Sequence, residues 1–366
     1  MNQKLLKVRE ELNNFFLERR EEIDILLTAI LSQKNVFLVG ATGTAKSQLC
    51  NAVAKHFSAK FFTYLMTDHT TPDELFGIPS IKAMKEGRYE RIITNKLPNC
   101  EIAFLDEIFK ANSSILNCLL KIINEKKFDN GNKEIDVPLI SLFTASNELP
   151  KERELVALYD RLHFRKIVKP IAEFENIKKL LLLNKYEPNT IITRDELKKM
   201  HEEVGSIETK NIDDFIKLLD KLKNMQIFIS DRKKRECIDI IKGYAYLNNK
   251  DEMEIEDFAI LQHVLWNEPQ EATNIATIIL QIANPFDEKA KEISNVIDDL
   301  ENQLKKYSDA TTEVYEIYQK LINLQKEIKI YKKTLEKIGK KSKEIEDVDK
   351  RIENLIENMR KEYFER

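Results

Sequence analysis

The sequence predicts an α/β fold, with a mainly parallel sheet covered on both faces by helices and then a long, wholly helical remainder. Two observations predict it. Short apolar runs recur at VFLVG (36–40), KFFTYLMT (60–67), EIAFLDE (101–107), PLISLFTASN (138–147) and RKIVKP (165–170), and helical stretches such as 46–57 and 113–125 separate most of them. Continuous apolar strands alternating with helices are what a doubly covered parallel sheet requires. The second observation is a change of pattern after residue 170: helical with few glycines or prolines to about 275, then charged and heptad-like from Phe286, with one glycine at Gly339.

Each element follows from its local pattern. Residues 1–34 read as one or two amphipathic helices. Between 126 and 138, KKFDNGNKEIDVP sets Asn130-Gly131 between two short flanks, a strong hairpin signal that inserts a β-hairpin before the fourth strand. The tail carries apolar stripes at Ile293, Ile297, Leu300, Leu304 and Tyr307, then from Val314 to Ile338, then from Ile345 to Met359. The phase slips after Tyr307 and breaks at Gly339, so three antiparallel helices, about 288–308, 312–338 and 342–364, are expected. A helical hairpin or an intersubunit coiled coil would use the same stripes.

Composition narrows the class. A formal net charge of -3 over 366 residues argues against nucleic acid and anionic membrane surfaces. Four cysteines, Cys50, Cys100, Cys118 and Cys237, lie far apart with no C-x-x-C pair, as in a cytoplasmic protein with reduced thiols. The histidines show no metal-ligand spacing, the N-terminus lacks a signal peptide's apolar core, and no apolar run approaches a membrane span.

The chemistry begins at VFLVGATGTAKSQL (36–49), which nearly fits G-x-x-x-x-G-K-[ST] but has Ala45 before the lysine. A strand, tight loop and helix aim backbone N–H groups and a positive helix end at one point, which suits phosphates. The candidate nucleotide segment is Gly40, Ala41, Thr42, Gly43, Thr44, Ala45, Lys46, Ser47 and Gln48. Lys46 would reach the β- and γ-phosphates and Ser47 would hold Mg²⁺. Ala45 is tolerable if its backbone is right-handed helical, where a methyl group costs little. A second site is IAFLDEI (102–108), an apolar strand ending in two acids that are costly unless they serve a cation or a reaction. Asp106 would bind Mg²⁺ and Glu107 would act as general base on the attacking water. Asn147, ending LFTASN, could orient that water. In LYDRLHFR (158–165), Arg161 or Arg165 could reach a γ-phosphate in a neighbouring subunit, and Arg232, opening a helix behind Ser230, could point back at the nucleotide.

Taken in order, GATGTAKS, TTPDELFG (70–77), EGRYERI (86–92), FLDEIFKANSSILNCLLKIINEKKFDNG (104–131), TASNELP (144–150), ALYDRL (157–162) and SDRK (230–233) resemble the AAA+ ATPases, specifically the MoxR family and its RavA (regulatory ATPase variant A) branch. The resemblance spans roughly residues 10 to 270, and alanine before the lysine is familiar in that branch. It implies a sheet of order 5-1-4-3-2 in a core spanning 1–170, a helical lid over 171–275, and a C-terminal helical domain over 286–366. It implies Walker A residues at Lys46 and Ser47, Walker B at Asp106 and Glu107, sensor 1 at Asn147, an arginine finger at Arg161 and sensor 2 at Arg232. It further implies ATP and Mg²⁺ as cofactors, a homo-hexameric ring, and a von Willebrand factor A (VWA) domain protein as partner in remodelling other proteins. One departure stands out: RavA-type proteins carry a β-rich insert in the C-terminal domain, whereas residues 286–366 hold helical sequence only. An AAA+ motor acting on nucleic acid and a slow, nucleotide-gated scaffold are the alternatives.

Overall fold

A computed structural model describes residues 2–150, 157–304, 312–337 and 342–364. Contacts divide the chain into two units, Met1–Ala276 and Thr277–Arg366.

The first unit opens with α1 (Asn2–Phe15) and α2 (Arg20–Ser32). Eleven of the thirteen residues of α2 are buried, which makes it a core helix rather than a surface one. Five parallel strands follow: β1 (Val36–Val39), β2 (Phe61–Leu65), β3 (Ile102–Asp106), β6 (Ser141–Ser146) and β7 (Phe164–Ile167). Their spatial order is β2-β3-β6-β1-β7. Counted along the main sheet alone this is 5-1-4-3-2, the order expected. Every residue of β1 and β6 is buried; β1 is wholly apolar, and β6 buries Ser141, Thr144 and Ser146 among its apolar residues. The crossovers carry α3 (Lys46–Lys55), α4 (Pro72–Phe76), α5 (Ile81–Lys85) and α6 (Ser113–Glu125). Asn112 caps α6, accepting from Ile115 N at 3.1 Å.

The hairpin is present as β4 (Lys127–Asn130) and β5 (Lys133–Asp136), but its turn is displaced by one residue. Asn130 pairs with Lys133, so the two-residue loop is Gly131-Asn132 rather than Asn130-Gly131. The cause is tertiary. The Asn130 side chain accepts from Arg91 N at 2.6 Å and donates to Arg91 O at 3.2 Å. At Gly131 a Cβ would lie 1.5 Å from Tyr89 O, so only glycine fits.

After β7 come α7 (Phe174–Leu180), α8 (Arg194–Ser206), α9 (Ile212–Asn224), α10 (Asp231–Leu247) and a 3₁₀ segment, Ile255–His263. Ser230 caps α10 as expected, accepting from Lys233 N. A further helix is α11 (Pro269–Ala283).

The second unit holds α12 (Pro285–Leu304), α13 (Thr312–Lys337) and α14 (Lys343–Met359). They share one apolar core that includes Ile297, Leu300, Leu321, Ile328 and Ile352. The pairs Lys332–Asp349 and Lys329–Glu353 run in opposite senses along α13 and α14, so these two helices are antiparallel. The three stripes thus fold back within one chain. Tyr307 and Gly339, where the stripes break, lie outside the described residues.

Candidate active site

Three adjacent strands, β3, β6 and β1, deliver the site residues at their carboxyl ends, where open parallel sheets bind ligands. β1 feeds the loop 40–45, and α3 begins at Lys46. Gly40 is required by close approach, since a Cβ there would lie 2.4 Å from Val168 O. Gly43 is required by its backbone, with φ +84°. Ala45 also has a left-handed backbone, φ 65° and ψ 18°. This overturns the expectation of right-handed dihedrals: the alanine sits where the loop pattern places glycine, at a cost of about 1–2 kcal/mol.

Lys46 is buried and donates to Gly40 O at 2.6 Å, to Ala41 O at 2.9 Å and to Asn147 Oδ1 at 3.4 Å. Burial pulls its pKa down, against the pull of Asp106 and Glu107. Ser47 Oγ donates to Asp106 Oδ2 at 2.6 Å. Glu107 N donates to Asp106 Oδ1 at 3.1 Å, and Asn147 Nδ2 donates to Glu107 Oε1 at 2.6 Å. Glu107 has φ 52°, a turn that takes it out of the strand line just after Asp106. Lys46, Ser47, Asp106, Glu107 and Asn147 are therefore linked into one network, although they lie at the start of α3 and at the ends of β3 and β6.

The residues fit a magnesium nucleotide. No side chain caps the start of α3, which leaves its positive end for an anion. Ser47 and Asp106 offer paired oxygen donors, the partial ligation typical of Mg²⁺ shared with phosphate. Among the described residues no group of three or more His, Cys, Asp or Glu forms a separate metal cage. Beside the loop lies a cavity of 240 Å³, lined by Phe15, Phe16, Arg19, Ala45, Gln48 and Leu180 among others. Its aromatic and aliphatic walls suit a planar base. Most of these wall residues escape sequence reading, because they come from the α1–α2 turn and from the region after β7 and carry no motif.

The arginines bond elsewhere. Arg161 contacts Asn124 Oδ1, Ala157 O and Asp160 Oδ2, each at 3.2 Å, and its side chain remains 27 % exposed. Arg165 is 1 % exposed. It donates to Trp266 O, to Asn267 Oδ1 at 2.8 Å and to Tyr159 O at 3.2 Å, and it lies 4.2 Å above the Tyr159 ring. A side chain so enclosed cannot reach a neighbouring subunit, so Arg165, contrary to the expectation from sequence, is not placed to share that role. Arg232 lies along α10 on Glu236 at 2.9 Å and does not point into the network.

This sheet order, loop, acidic strand end and helical lid define an AAA+ nucleotide-binding protein. The model of the MoxR domain in the MoxR-vWA-beta-propeller ternary systems matches residues 3–210, and an AAA lid domain model matches 210–279. The chain belongs to the MoxR family. It is similar to two Methanocaldococcus jannaschii proteins described as uncharacterized, each 45 % identical. MJ0812 aligns over 95 % of this chain and 96 % of its own length, and MJ0079 over 98 % and 94 %. It is also similar to the structural protein ORF618 of Acidianus two-tailed virus, 28 % identical over 65 % of this chain and 38 % of the viral protein. A solved structure from Cytophaga hutchinsonii, described as "a putative ATPase", shares the fold with a TM-score of 0.63 at 18 % identity, over 77 % of this chain and 95 % of that one. Among the described residues, no helix is long and apolar enough to cross a membrane.

Proposed function

We propose that the chain is a Mg²⁺-dependent ATPase that works as a homo-hexameric, RavA-like ring and remodels protein partners together with a VWA-domain protein. The observation that carries the catalytic part is the bonded network Ser47–Asp106–Glu107–Asn147–Lys46 at the ends of three parallel strands. The loop and the start of α3 bind the phosphates, and Lys46 moves from its carbonyl partners to their oxygens. Ser47 and Asp106 would hold Mg²⁺, which would supply positive charge against the phosphates. Glu107 takes a proton from the attacking water, and Asn147 holds both Glu107 and that water in line. Arg161 acts on the nucleotide of the adjoining protomer, in keeping with its partly exposed side chain. The VWA partner is supported by the ternary systems after which the matching family model is described.

The test is phosphate release from ATP with and without Mg²⁺, alongside native mass spectrometry and affinity capture with ATP. Turnover only with Mg²⁺, a six-protomer mass and a captured VWA-domain protein are expected. Metal-independent or absent turnover would defeat the catalytic reading. A monomer would defeat the ring, and capture of nucleic acid alone would favour the motor alternative.

A further inference from the structure

Ala45 holds a left-handed backbone that any side chain with a Cβ resists. The restraint must come from outside the residue, and Arg19 is placed to supply it. Arg19 lies in the turn between α1 and α2 and is 5 % exposed. Its Nη2 donates to Lys169 O at 2.7 Å and, over a longer 3.4 Å, to Thr44 O; its Nη1 donates to Glu18 O at 2.9 Å. Its Nε is buried without an acceptor, on the wall of the cavity beside Ala45. The Thr44–Ala45 peptide is trans, so its N–H points opposite to its carbonyl. A guanidinium that draws the Thr44 carbonyl outward therefore turns the Ala45 N–H towards the phosphate side of the loop. The same turn also reaches the other way. The Glu18 carboxylate accepts from Ala172 N at 2.9 Å, Glu173 N at 3.0 Å and Asn176 Nδ2 at 3.1 Å, at the start of α7.

We propose that Arg19 is a positioning residue for nucleotide binding: by bridging Thr44 and Lys169 it holds Ala45 in the left-handed conformation that glycine adopts freely. The proposal rests on the ATP-binding reading and adds to it a residue outside every motif in the chain.

The test is a double-mutant cycle in the full chain, Arg19→Gln combined with Ala45→Gly, read as the Kd of a fluorescent (N-methylanthraniloyl) ADP. With Ala45 in place, Arg19→Gln should weaken binding about tenfold, the equilibrium scale of one left-handed residue bearing a Cβ. In the Ala45→Gly background the same change should cost no more than about twofold, because glycine needs no restraint. Equal losses in both backgrounds, or no loss with Ala45, would overturn the proposal. Arg19→Lys, which can hold only one of the two carbonyls well, is run in parallel in case the glutamine variant does not fold. Its loss should also shrink in the Ala45→Gly background, and a loss that does not shrink counts equally against the proposal. Wild-type protein that binds no adenine nucleotide would defeat the ATPase reading instead. Unfolding midpoints without ligand still test the restraint. Ala45→Gly should raise the midpoint more with Arg19 present than in Arg19→Gln, and equal shifts would overturn it.

Discussion

At the carboxyl ends of β1, β3 and β6 the charged groups are joined through the Ser47 hydroxyl and the Asn147 amide into one polar network, whereas Arg165 on β7 is bonded to backbone carbonyls and an amide beneath an aromatic ring. Lys46, Asp106 and Glu107 form part of one network that a nucleotide can enter by exchanging one set of oxygen partners for another. Arg165 instead directs its donors to Trp266 O, Asn267 and Tyr159 O beneath a ring face, and His263 is buried near Lys166, the next residue of the strand. Both regions contain ionisable residues in a short motif. The difference lies in what surrounds them: exchangeable polar partners in one, fixed packing in the other. Arg161, four residues before Arg165, differs from it in remaining partly exposed.

Three substitutions would break or sharpen the contrast. The largest effect is expected from Arg161→Ala, which should lower ATP turnover by about two to three orders of magnitude, the usual cost of losing one transition-state donor. ATP binding should persist, and mixing with Glu107→Gln protein should restore part of the activity. Exchange of subunits without any recovery would place Arg161 among the structural arginines. Next is Arg165→Ala, which leaves buried carbonyls without a donor and should cost about 3 kcal/mol of stability. Denaturant unfolding would detect it, and a variant of full stability but lost turnover would invert the comparison. The smallest effect concerns pH. Burial holds the His263 pKa at about 3, against 6.5 for an exposed histidine. Below pH 6.5 the unfolded chain therefore binds the proton that the folded chain refuses, so stability falls as pH falls from 6.5 towards 3. His263→Phe should flatten part of that decline in unfolding midpoints between pH 7 and pH 4.5; an unchanged slope would mean that His263 does not contribute to it.

What the sequence discloses follows the range of the interactions. The strand–loop–helix at 36–55 and the acidic strand end at 106–107 are legible because their determinants are adjacent in the chain. Asn147 is legible as the end of an apolar strand, and the sheet order comes with the family resemblance. Ala45 is misread because a methyl group is easiest to accept in a right-handed backbone, while the loop path imposes a left-handed one. The hairpin turn shifts because Tyr89 and Arg91, some forty residues earlier, claim Gly131 and Asn130. Arg165 reads as a finger candidate because its partner at Trp266 is 101 residues away. Arg19 is invisible for the same reason, since it acts through backbone carbonyls 25 and 150 residues distant.

Hydrolysis of ATP at the strand ends turns on Glu107 as the general base. Parallel measurement of ATP affinity and steady-state phosphate release, with Mg²⁺, in wild-type and Glu107→Gln protein tests it most directly. Unchanged or tighter ATP binding is expected in the variant, with a turnover lower by about two to four orders of magnitude, the contribution of general-base catalysis. Turnover in Glu107→Gln equal to wild type would contradict it.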